Sequence, residues 1–420
     1  MLNVSSLNAK SKEERLKNLS ILSKNLPTIT AQENCINNHV HTKYSFSPYS
    51  PTYAIYMAKQ QGLSSVGIID HDTFSGAEEF HQAGKILGIR TSAGIELRVD
   101  YKNTPLENKM INNPDQKGVA YMLIHGIPMS MESTVNDFLK PVRKHRFERN
   151  VLMLNKINEL FSPFKIKLDI EKDIVPESYF NDGGTITERH LLLGLIKRLI
   201  KDFEQVIRIN GFVANTLKIS LSNKLLTAKT VDEYYIYDLL GLFKSNFIKD
   251  FYIPATKELI PIITAVDFGY QIGAFPCYSY LGDVKGCVTG DKKPQKFEDD
   301  YLDLLFKVIN ELGIKSITYS PTRNNGEQLN RLQNLAKKYD MFTVCGDDIN
   351  SIRQSFVIKA LENKEFYDLV VNSKILEINE HLGNTDLSKC YFSKEMQEKY
   401  PSTKSRNEHF LQQYNAIQQN

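Results

Sequence analysis

The segment Asn38-His39-Val40-His41-Thr42 places two histidines on either side of one valine. In a β-strand, residues i and i+2 point to the same face. Both imidazoles can therefore bind one first-row metal ion at the carboxyl end of a strand, where α/β barrels usually carry their active sites. The alternative is a pair of polar residues at a strand end, and the spacing favours the metal site.

Polar groups also follow two neighbouring apolar runs. Asp70-His71-Asp72 follows the run 66–69, and Glu96 lies inside the apolar stretch 93–97. We expect His71 and Asp70 to take part in metal binding or acid–base chemistry and Asp72 to cap the following helix. A carboxylate in an apolar strand needs a cation, which for Glu96 is either a metal or Arg98.

The late segment 346–350 repeats the spacing of the two histidines. Asp348 and Asn350 stand two residues apart after the apolar run 341–345, so both side chains could point into one site. The alternative is an acidic turn with a helix cap. His125 follows the run 119–124 and is a candidate for a further metal ligand.

Arginines in the middle of the chain are candidates for binding an anion. Arg189 and His190 open a helical pattern after the glycine-rich segment 182–185, a suitable position for a substrate phosphate. Charged helix faces are usually solvated, and this is the interpretation favoured for Arg146 and Arg149.

Composition narrows the class of protein. The chain has 420 residues, 41% of them hydrophobic, and a formal net charge of +3. Nothing in this balance requires duplex DNA or a membrane as a partner. The five cysteines form no CxxC pair. The sequence also shows no apolar leader and no run of apolar residues long enough to span a bilayer. Together with the cysteine pattern, these features predict a reduced, cytoplasmic protein.

Short apolar runs alternate with helical patterns, which predicts an α/β fold with a parallel sheet or barrel. Strands are expected over 65–69, 90–99, 118–127, 260–265, 271–275, 316–319 and 341–345, and helices over 73–87 and 327–339. We divide the chain into an N-terminal helical extension (1–35), a first barrel part (36–130), a helical insertion (131–255), a second barrel part (256–352) and a C-terminal extension (353–420). Part of the first segment is expected to be disordered, and residues 400–420 are expected to be loosely ordered.

Taken in order, these motifs resemble the PHP (polymerase and histidinol phosphatase) superfamily between about residues 36 and 352: His39-x-His41, Asp70-His71-Asp72, Gly94-Ile95-Glu96 and Gly346-x-Asp348-x-Asn350. The resemblance implies a distorted (β/α)7 TIM-like barrel whose two or three zinc, manganese or iron ions hydrolyse phosphoesters. Residues 146–149, 187–191 and 255–276 look like segments of the branch that contains nucleoside 3′,5′-bisphosphate phosphatases and 5′-3′ exoribonucleases.

The resemblance also implies a ligand set. His39, His41, Glu96 and Asp348 match the ligands of the first metal, while His71 and Asn350 match those of the third. Glu96 would bridge to a second metal, whose histidines correspond to Tyr121 and Phe275 in this chain, with His125 as a possible substitute. Tyrosine and phenylalanine are poor or impossible ligands, so fewer ions than a trinuclear cluster are expected.

Two functions remain open at this stage. The first is a metal-dependent phosphoesterase that acts on a small phosphorylated molecule or a short nucleic acid, with Asp70 and His71 in catalysis and Arg189 and His190 on the substrate. The second is a weak or inactive protein of the same fold that serves in binding or as a scaffold. The sequence does not fix an oligomeric state.

Overall fold

The computed structural model describes residues 3–283 and 296–418, which form eight strands and fourteen α-helices. The strands are β1 (Gln32–Val40), β2 (Leu63–His71), β3 (Arg90–Asp100), β4 (Val119–His125), β5 (Ile260–Pro261), β6 (Phe275–Ser279), β7 (Ser316–Tyr319) and β8 (Phe342–Cys345). The helices are α1 (Lys12–Ser23), α2 (Pro51–Gln60), α3 (Ala77–Leu87), α4 (Glu132–Phe161), α5 (Glu188–Phe203), α6 (Val206–Gly211), α7 (Asn223–Thr227), α8 (Glu233–Phe251), α9 (Ile262–Gln271), α10 (Leu302–Glu311), α11 (Gly326–Lys338), α12 (Tyr367–Gly383), α13 (Lys394–Lys399) and α14 (Thr403–Gln418).

Seven strands form one curled sheet in the order β1-β2-β3-β4-β6-β7-β8, and the short β5 pairs with β3. Strand β4 runs antiparallel to both of its neighbours, and the other pairs are parallel. The two ends of the sheet meet at an isolated parallel bridge between Val40 and Ile349. The His41 N–H donates to the Ile349 carbonyl at 2.9 Å. The predicted α/β fold with a distorted barrel is confirmed, and the barrel closes beside the histidine pair.

The first βα unit differs from the prediction at the start of its helix. Helix α3 ends at Gly88, as predicted, because Gly88 adopts a left-handed φ of 60°. It begins at Ala77 rather than at residue 73. Asp72 has a φ of 53°, which interrupts the right-handed helical backbone. Asp72 therefore does not cap α3, and this expectation was wrong.

Two strand predictions in the second half of the barrel were also wrong. Of the stretch 260–265 only Ile260 and Pro261 are extended, and Ile262 already opens helix α9. Strand β6 begins at Phe275, where the predicted strand ended. Short apolar runs fit buried helices and buried strands equally well, so hydrophobicity alone could not separate these cases.

The middle of the chain is helical, as predicted. Helices α4 to α8 surround an apolar cluster of their own, which includes Met153, Leu195, Leu239 and Phe243. This cluster is separate from the apolar layer between the barrel and its outer helices. The five-part division of the chain stays a prediction.

The terminal segments are more ordered than expected. Arg15 on α1 is 1% exposed, and its guanidinium donates to both carboxylate oxygens of Glu79 on α3. Residues 403–418, expected to be loose, form helix α14, and its Phe410 is buried against Tyr391. The sequence pattern did not predict this helix, because most of its residues are polar and surround a single buried phenylalanine.

Helices α1 to α14 of the described residues include none with the length and apolar character that crossing a bilayer requires. Cys35, Cys277, Cys345 and Cys390 are buried free thiols, and Cys287 lies outside the described residues. These findings agree with the expectation of reduced cysteines, and the cytoplasmic location stays a prediction.

Candidate metal centre

The two opening histidines lie at the end of β1, where its register against β2 shifts. Asn37 pairs with Val66, whereas Val40 pairs with Ile68, so β1 has one extra residue between the two pairs. Such a bulge redirects side chains near functional sites. Gly346 makes room for it, because a Cβ at this position would lie 2.5 Å from the His39 Cβ.

The donor atoms of five side chains converge at this end of the barrel. His41 Nε2 lies 3.2 Å from Asp348 Oδ1 and 3.4 Å from Glu96 Oε2. The same Glu96 oxygen lies 3.7 Å from His39 Nε2 and 3.1 Å from His71 Nδ1. They form two groups that share His41, each with donor atoms within 4.8 Å of one another: His39, His41 and Asp348, and His41, His71 and Glu96.

These residues fit a divalent metal ion. The Nε2 atoms of His39 and His41 are buried, and neither has a hydrogen-bond partner among the described residues. Buried polar atoms are normally paired, so orphaned ones at a convergent site indicate a missing partner. Imidazole and carboxylate ligands bind first-row ions at about 2.0–2.2 Å, which the spacing of the donor atoms allows. The donor set is compatible with zinc, manganese or iron and does not fix the number of ions.

Electrostatics favours a cation at this point. Burial disfavours a charged His41, but the carboxylates of Asp348, Glu96 and Asp70 outweigh it and raise the pKa of His41 to about 9. Burial likewise opposes ionisation of Glu96, yet the three histidines lower its pKa to about 2. The Asp348 side chain is about half exposed, and its pKa is also held well below its usual value, chiefly by His41. Glu96 and Asp348 are thus ionised at neutral pH and attract positive charge.

Comparison with known proteins agrees with this geometry. Residues 37–209 match the family model of the PHP domain. This stretch is similar to a PHP domain and makes up less than half of the chain. Over 64 residues it is 33% identical to a 5′-3′ exoribonuclease from Haemophilus influenzae. This segment is 15% of the present chain and 23% of the relative, so less than a quarter of the relative's length is matched.

Two solved structures can be superposed on most of this chain. The first is a proposed metal-dependent phosphoesterase from Bifidobacterium adolescentis, with a TM-score of 0.51 and 17% identity, covering 82% of this chain and 98% of that one. At this identity the likeness shows the fold alone. The second is an amidohydrolase from Chromobacterium violaceum, with a TM-score of 0.49 and 14% identity, covering 77% of this chain and 89% of that one.

Asp70 belongs to neither donor group and holds the loop that follows β1. Its carboxylate accepts hydrogen bonds from the Thr42 N–H (2.8 Å), the Thr42 hydroxyl (2.6 Å) and the Ser45 hydroxyl (2.5 Å). It lies 3.9 Å from His41 Nδ1. In the PHP domain Asp70 is therefore placed to orient His41, and its predicted catalytic role stays a prediction.

Two other predicted ligands, Asn350 and His125, lie outside the two donor groups. Asn350 donates from Nδ2 to Asp348 Oδ1 at 2.8 Å and so positions that carboxylate. Glu96 pairs across the sheet with Leu123, whereas His125 lies further toward the amino end and pairs with Phe275. The two donor groups found among the described residues do not include His125, and burial lowers its pKa to about 3.

The structure corrects the comparison of Phe275 with a metal-ligand histidine. Phe275 begins β6 and packs on Phe342 and Tyr391 at the amino end of the barrel, with ring centroids 4.8 and 5.1 Å away. Tyr121 does lie at the site, with its ring centroid 5.8 Å from that of His71. Its neighbour on β6 is Ser279, because Met122 pairs with Tyr278 in the antiparallel register. The sequence comparison was therefore displaced by four residues.

A small cavity of about 30 Å³ adjoins the centre. It is lined by side chains from the barrel and the helical insertion: His41, Phe46, His71, Arg98, Tyr121, Arg146, Thr187, Glu188, Arg189 and Asn350. The lining includes Arg189, one of the two predicted substrate-binding residues. His190 instead accepts a hydrogen bond at Nδ1 from the Thr187 N–H at 3.0 Å and caps α5. Burial lowers the His190 pKa to about 3, so it is neutral.

A network of buried ion pairs supports the cavity. Arg146 pairs with Asp72, and Arg149 binds both oxygens of Glu258, each at 2.7 Å. Both arginines are buried, at 2% and 6% exposure, so the expectation that they are solvated was wrong. Arg98 donates to Glu258 at 3.2 Å, which excludes it as the partner of Glu96. Sequence offered no signal for pairs whose members stand 74 to 160 residues apart.

Proposed function

We propose that this PHP-domain protein is a metal-dependent phosphoesterase that acts on a small phosphorylated molecule or a short nucleic acid. The observation that carries the proposal is the convergence of His39, His41, His71, Glu96 and Asp348 around buried nitrogens without partners. The adjoining cavity adds three arginines, the side chain best suited to phosphate recognition: Arg98, Arg146 and Arg189.

His39, His41, Glu96 and Asp348 would hold the metal. When bound, a divalent ion polarises a phosphoryl oxygen and lowers the pKa of a coordinated water. Arg189 would bind the substrate phosphate, while Arg98 and Arg146, already paired with carboxylates, would contribute positive potential. Glu258 and Asp72 keep these two guanidinium groups fixed.

His71 is the side chain best suited to move a proton. It lines the cavity, and burial lowers its pKa well below the usual value, so the imidazole is neutral at physiological pH. Its Nδ1 faces Glu96 at 3.1 Å, which leaves Nε2 to accept a proton. Asp70 keeps the neighbouring His41 ring oriented through the loop that it binds.

The cavity itself is too small to hold a substrate, because about 30 Å³ has room for one or two water molecules. A substrate phosphate would therefore bind at the mouth of the cavity. The 64-residue similarity to an exoribonuclease supports a nucleotide-like substrate. We propose no duplex DNA partner, because the net charge of +3 provides no strong attraction for one.

A non-catalytic binding protein is the second candidate. The neutral side chains of Tyr121 and Asn350 beside the donor groups favour it. Such a protein could bind a phosphorylated ligand without hydrolysing it.

Metal analysis of the purified protein together with a phosphatase assay separates the two candidates. We expect near-stoichiometric zinc, manganese or iron and hydrolysis of a phosphomonoester, with both lost in His41→Ala. His381→Ala, which changes an exposed histidine on α12, is the matched control and should keep both. Absence of metal and of hydrolysis after addition of Mn²⁺ would reject the enzyme and leave the binding protein.

A further inference from the structure

Glu188 is a buried carboxylate with one unused oxygen at the cavity. It is the first residue of α5, is 9% exposed and lines the cavity together with His41 and His71. Its Oε1 accepts a hydrogen bond from Lys244 Nζ at 3.4 Å. Its Oε2 is buried and has no hydrogen-bond partner among the described residues, and Arg98 Nη2 is 4.0 Å away.

Glu188 is the carboxylate of this buried network whose unused oxygen lies at the cavity. Glu258 belongs to the same group of buried charges, but Arg98 and Arg149 donate to its two oxygens at 2.7 to 3.2 Å. Asp72 also has a buried oxygen, Oδ1, without a hydrogen-bond partner among the described residues. Neither Glu258 nor Asp72 is among the cavity-lining residues, so only the free oxygen of Glu188 is placed to meet a ligand there.

The surroundings of Glu188 restrict what could donate to it. Burial opposes its ionisation, but Lys244, Arg98, Arg146 and Arg189 lower its pKa well below the usual value, so the carboxylate is charged and can only accept. The same cations would repel an ammonium group, and the carboxylate itself would repel a second phosphate. A neutral hydroxyl is the donor that fits.

We infer that Glu188 accepts a hydrogen bond from a substrate hydroxyl and makes the site select hydroxyl-bearing phosphoesters, such as ribonucleotides and sugar phosphates. The inference rests on the proposed function, because it takes the arginine-lined cavity as the place of the phosphate. A site that satisfies a buried acceptor with a substrate hydroxyl discriminates strongly against the analogue that lacks it, because the acceptor is then left unpaired.

The direct test compares adenosine 5′-monophosphate with its 2′,3′-dideoxy analogue. Dissociation constants are measured by calorimetry, and kcat/KM is measured for the manganese-loaded protein. We expect wild type to prefer the ribonucleotide by about 10-fold or more, the usual effect of a hydrogen bond to a charged group. A wild type that treats both compounds alike would overturn the inference.

Two variants assign the preference to Glu188. Glu188→Leu removes the acceptor and should bring the ratio close to one, whereas Glu188→Gln keeps a neutral acceptor and should give an intermediate ratio. Glu171→Gln changes an exposed carboxylate of the same helical insertion and should behave as wild type. A preference that survives in Glu188→Leu would overturn the inference. If circular dichroism shows that this variant is unfolded, an unchanged ratio in Glu188→Gln would do so.

Failure of the inference and failure of the proposed function give different results. Hydrolysis of both nucleotides at equal rates would overturn the role of Glu188 and leave the phosphoesterase standing. Selective binding of the ribonucleotide without hydrolysis of either compound would support Glu188 and reject the phosphoesterase.

Discussion

The two ends of the barrel interior use polar residues in opposite ways. At the carboxyl end, the Nε2 atoms of His39 and His41 are buried without partners among the described residues. At the amino end, Asn379 on α12 donates to the carbonyls of Gly126 and Gly273, each at 2.9 Å. Its Oδ1 also accepts the Tyr391 N–H at 2.8 Å. The paired side chain of Asn379 holds α12 under the barrel. His125 Nε2, toward the same end, is also buried without a partner among the described residues. The carboxyl end differs because its unpaired nitrogens converge with carboxylates, and this convergence marks the place where a ligand is expected.

The apolar residues show the same division. Phe275, Phe342 and Tyr391 belong to a buried aromatic cluster at the amino end, which α12 and α14 cover. The carboxyl end instead has a cavity lined by histidines and arginines. One end of the barrel is thus closed by apolar packing, and the other is the end that we propose as the functional site, in keeping with other α/β barrels.

The largest effect is expected for His41→Ala, because His41 belongs to both donor groups. We expect loss of bound metal and a fall in kcat/KM of at least about 1000-fold, well beyond the 10- to 100-fold typical of groups that only support ligands. His39 belongs to one donor group, so His39→Ala should lower metal content and kcat/KM by less. Elemental analysis and steady-state kinetics check both variants. Equal metal content in His41→Ala and wild type would show that the carboxyl end of the barrel does not bind a metal through His41.

The next prediction concerns the amino end. Phe275→Ala should lower the free energy of unfolding by about 3–5 kcal/mol, because it removes a fully buried ring from the aromatic cluster. Bound metal per folded protein should not change. Denaturant unfolding and elemental analysis make the two measurements. Phe275→His should also destabilise the protein and add no metal, and a gain of metal in this variant would restore Phe275 as a ligand position.

The sequence was sufficient to predict the donor residues but not the position of Phe275. The donor residues were predictable for two reasons. His39 and His41 stand two residues apart, and His71, Glu96 and Asp348 each follow or lie in an apolar run. The ends of parallel strands then meet at one edge of the sheet. The position of Phe275 was not predictable. Nothing in the apolar run 274–278 marks which end of the strand faces the site, so a motif comparison slipped by four residues.

Long-range pairing accounts for most of the remaining differences. Arg146 was taken as solvated because its partner Asp72 lies 74 residues away in the chain. Glu188, which carries the inference on substrate hydroxyls, was passed over because a glutamate at a helix start is ordinarily a cap or a surface residue. Only the fold reveals that its Oε2 is buried at a cavity.

A smaller effect is expected for Asp70→Asn. The change keeps the size of the side chain but weakens the hydrogen bonds from Thr42 and Ser45 that hold the loop beside His41. Removing a group that supports a metal ligand typically lowers metal affinity or activity by about 10- to 100-fold. We therefore expect kcat/KM to fall by about 10- to 100-fold, with the fold retained. Kinetics and circular dichroism test this. Full activity would show that the loop is held by other contacts.

The smallest effect concerns the pH dependence of stability at the amino end. Glu380 accepts a hydrogen bond from the Ala93 N–H at 2.7 Å, and burial raises its pKa well above the usual value. The folded state therefore binds this proton more tightly, so its contribution to stability is present at acidic pH and is lost as the pH rises through the raised pKa. Glu380→Gln should become more stable relative to wild type as the pH increases from 4.5 upward. Urea unfolding at several pH values checks this, and a constant difference would contradict it.

We propose that the carboxyl end of the barrel is a metal centre built around His41. Anomalous X-ray diffraction from crystals of the metal-loaded protein would locate the ion. We expect a peak at the absorption edge of the bound metal, about 2.0–2.2 Å from His41 Nε2 and within reach of at least two of the other four donors, His39, His71, Glu96 and Asp348. A peak elsewhere, or none from protein soaked in manganese, zinc and iron, would contradict it.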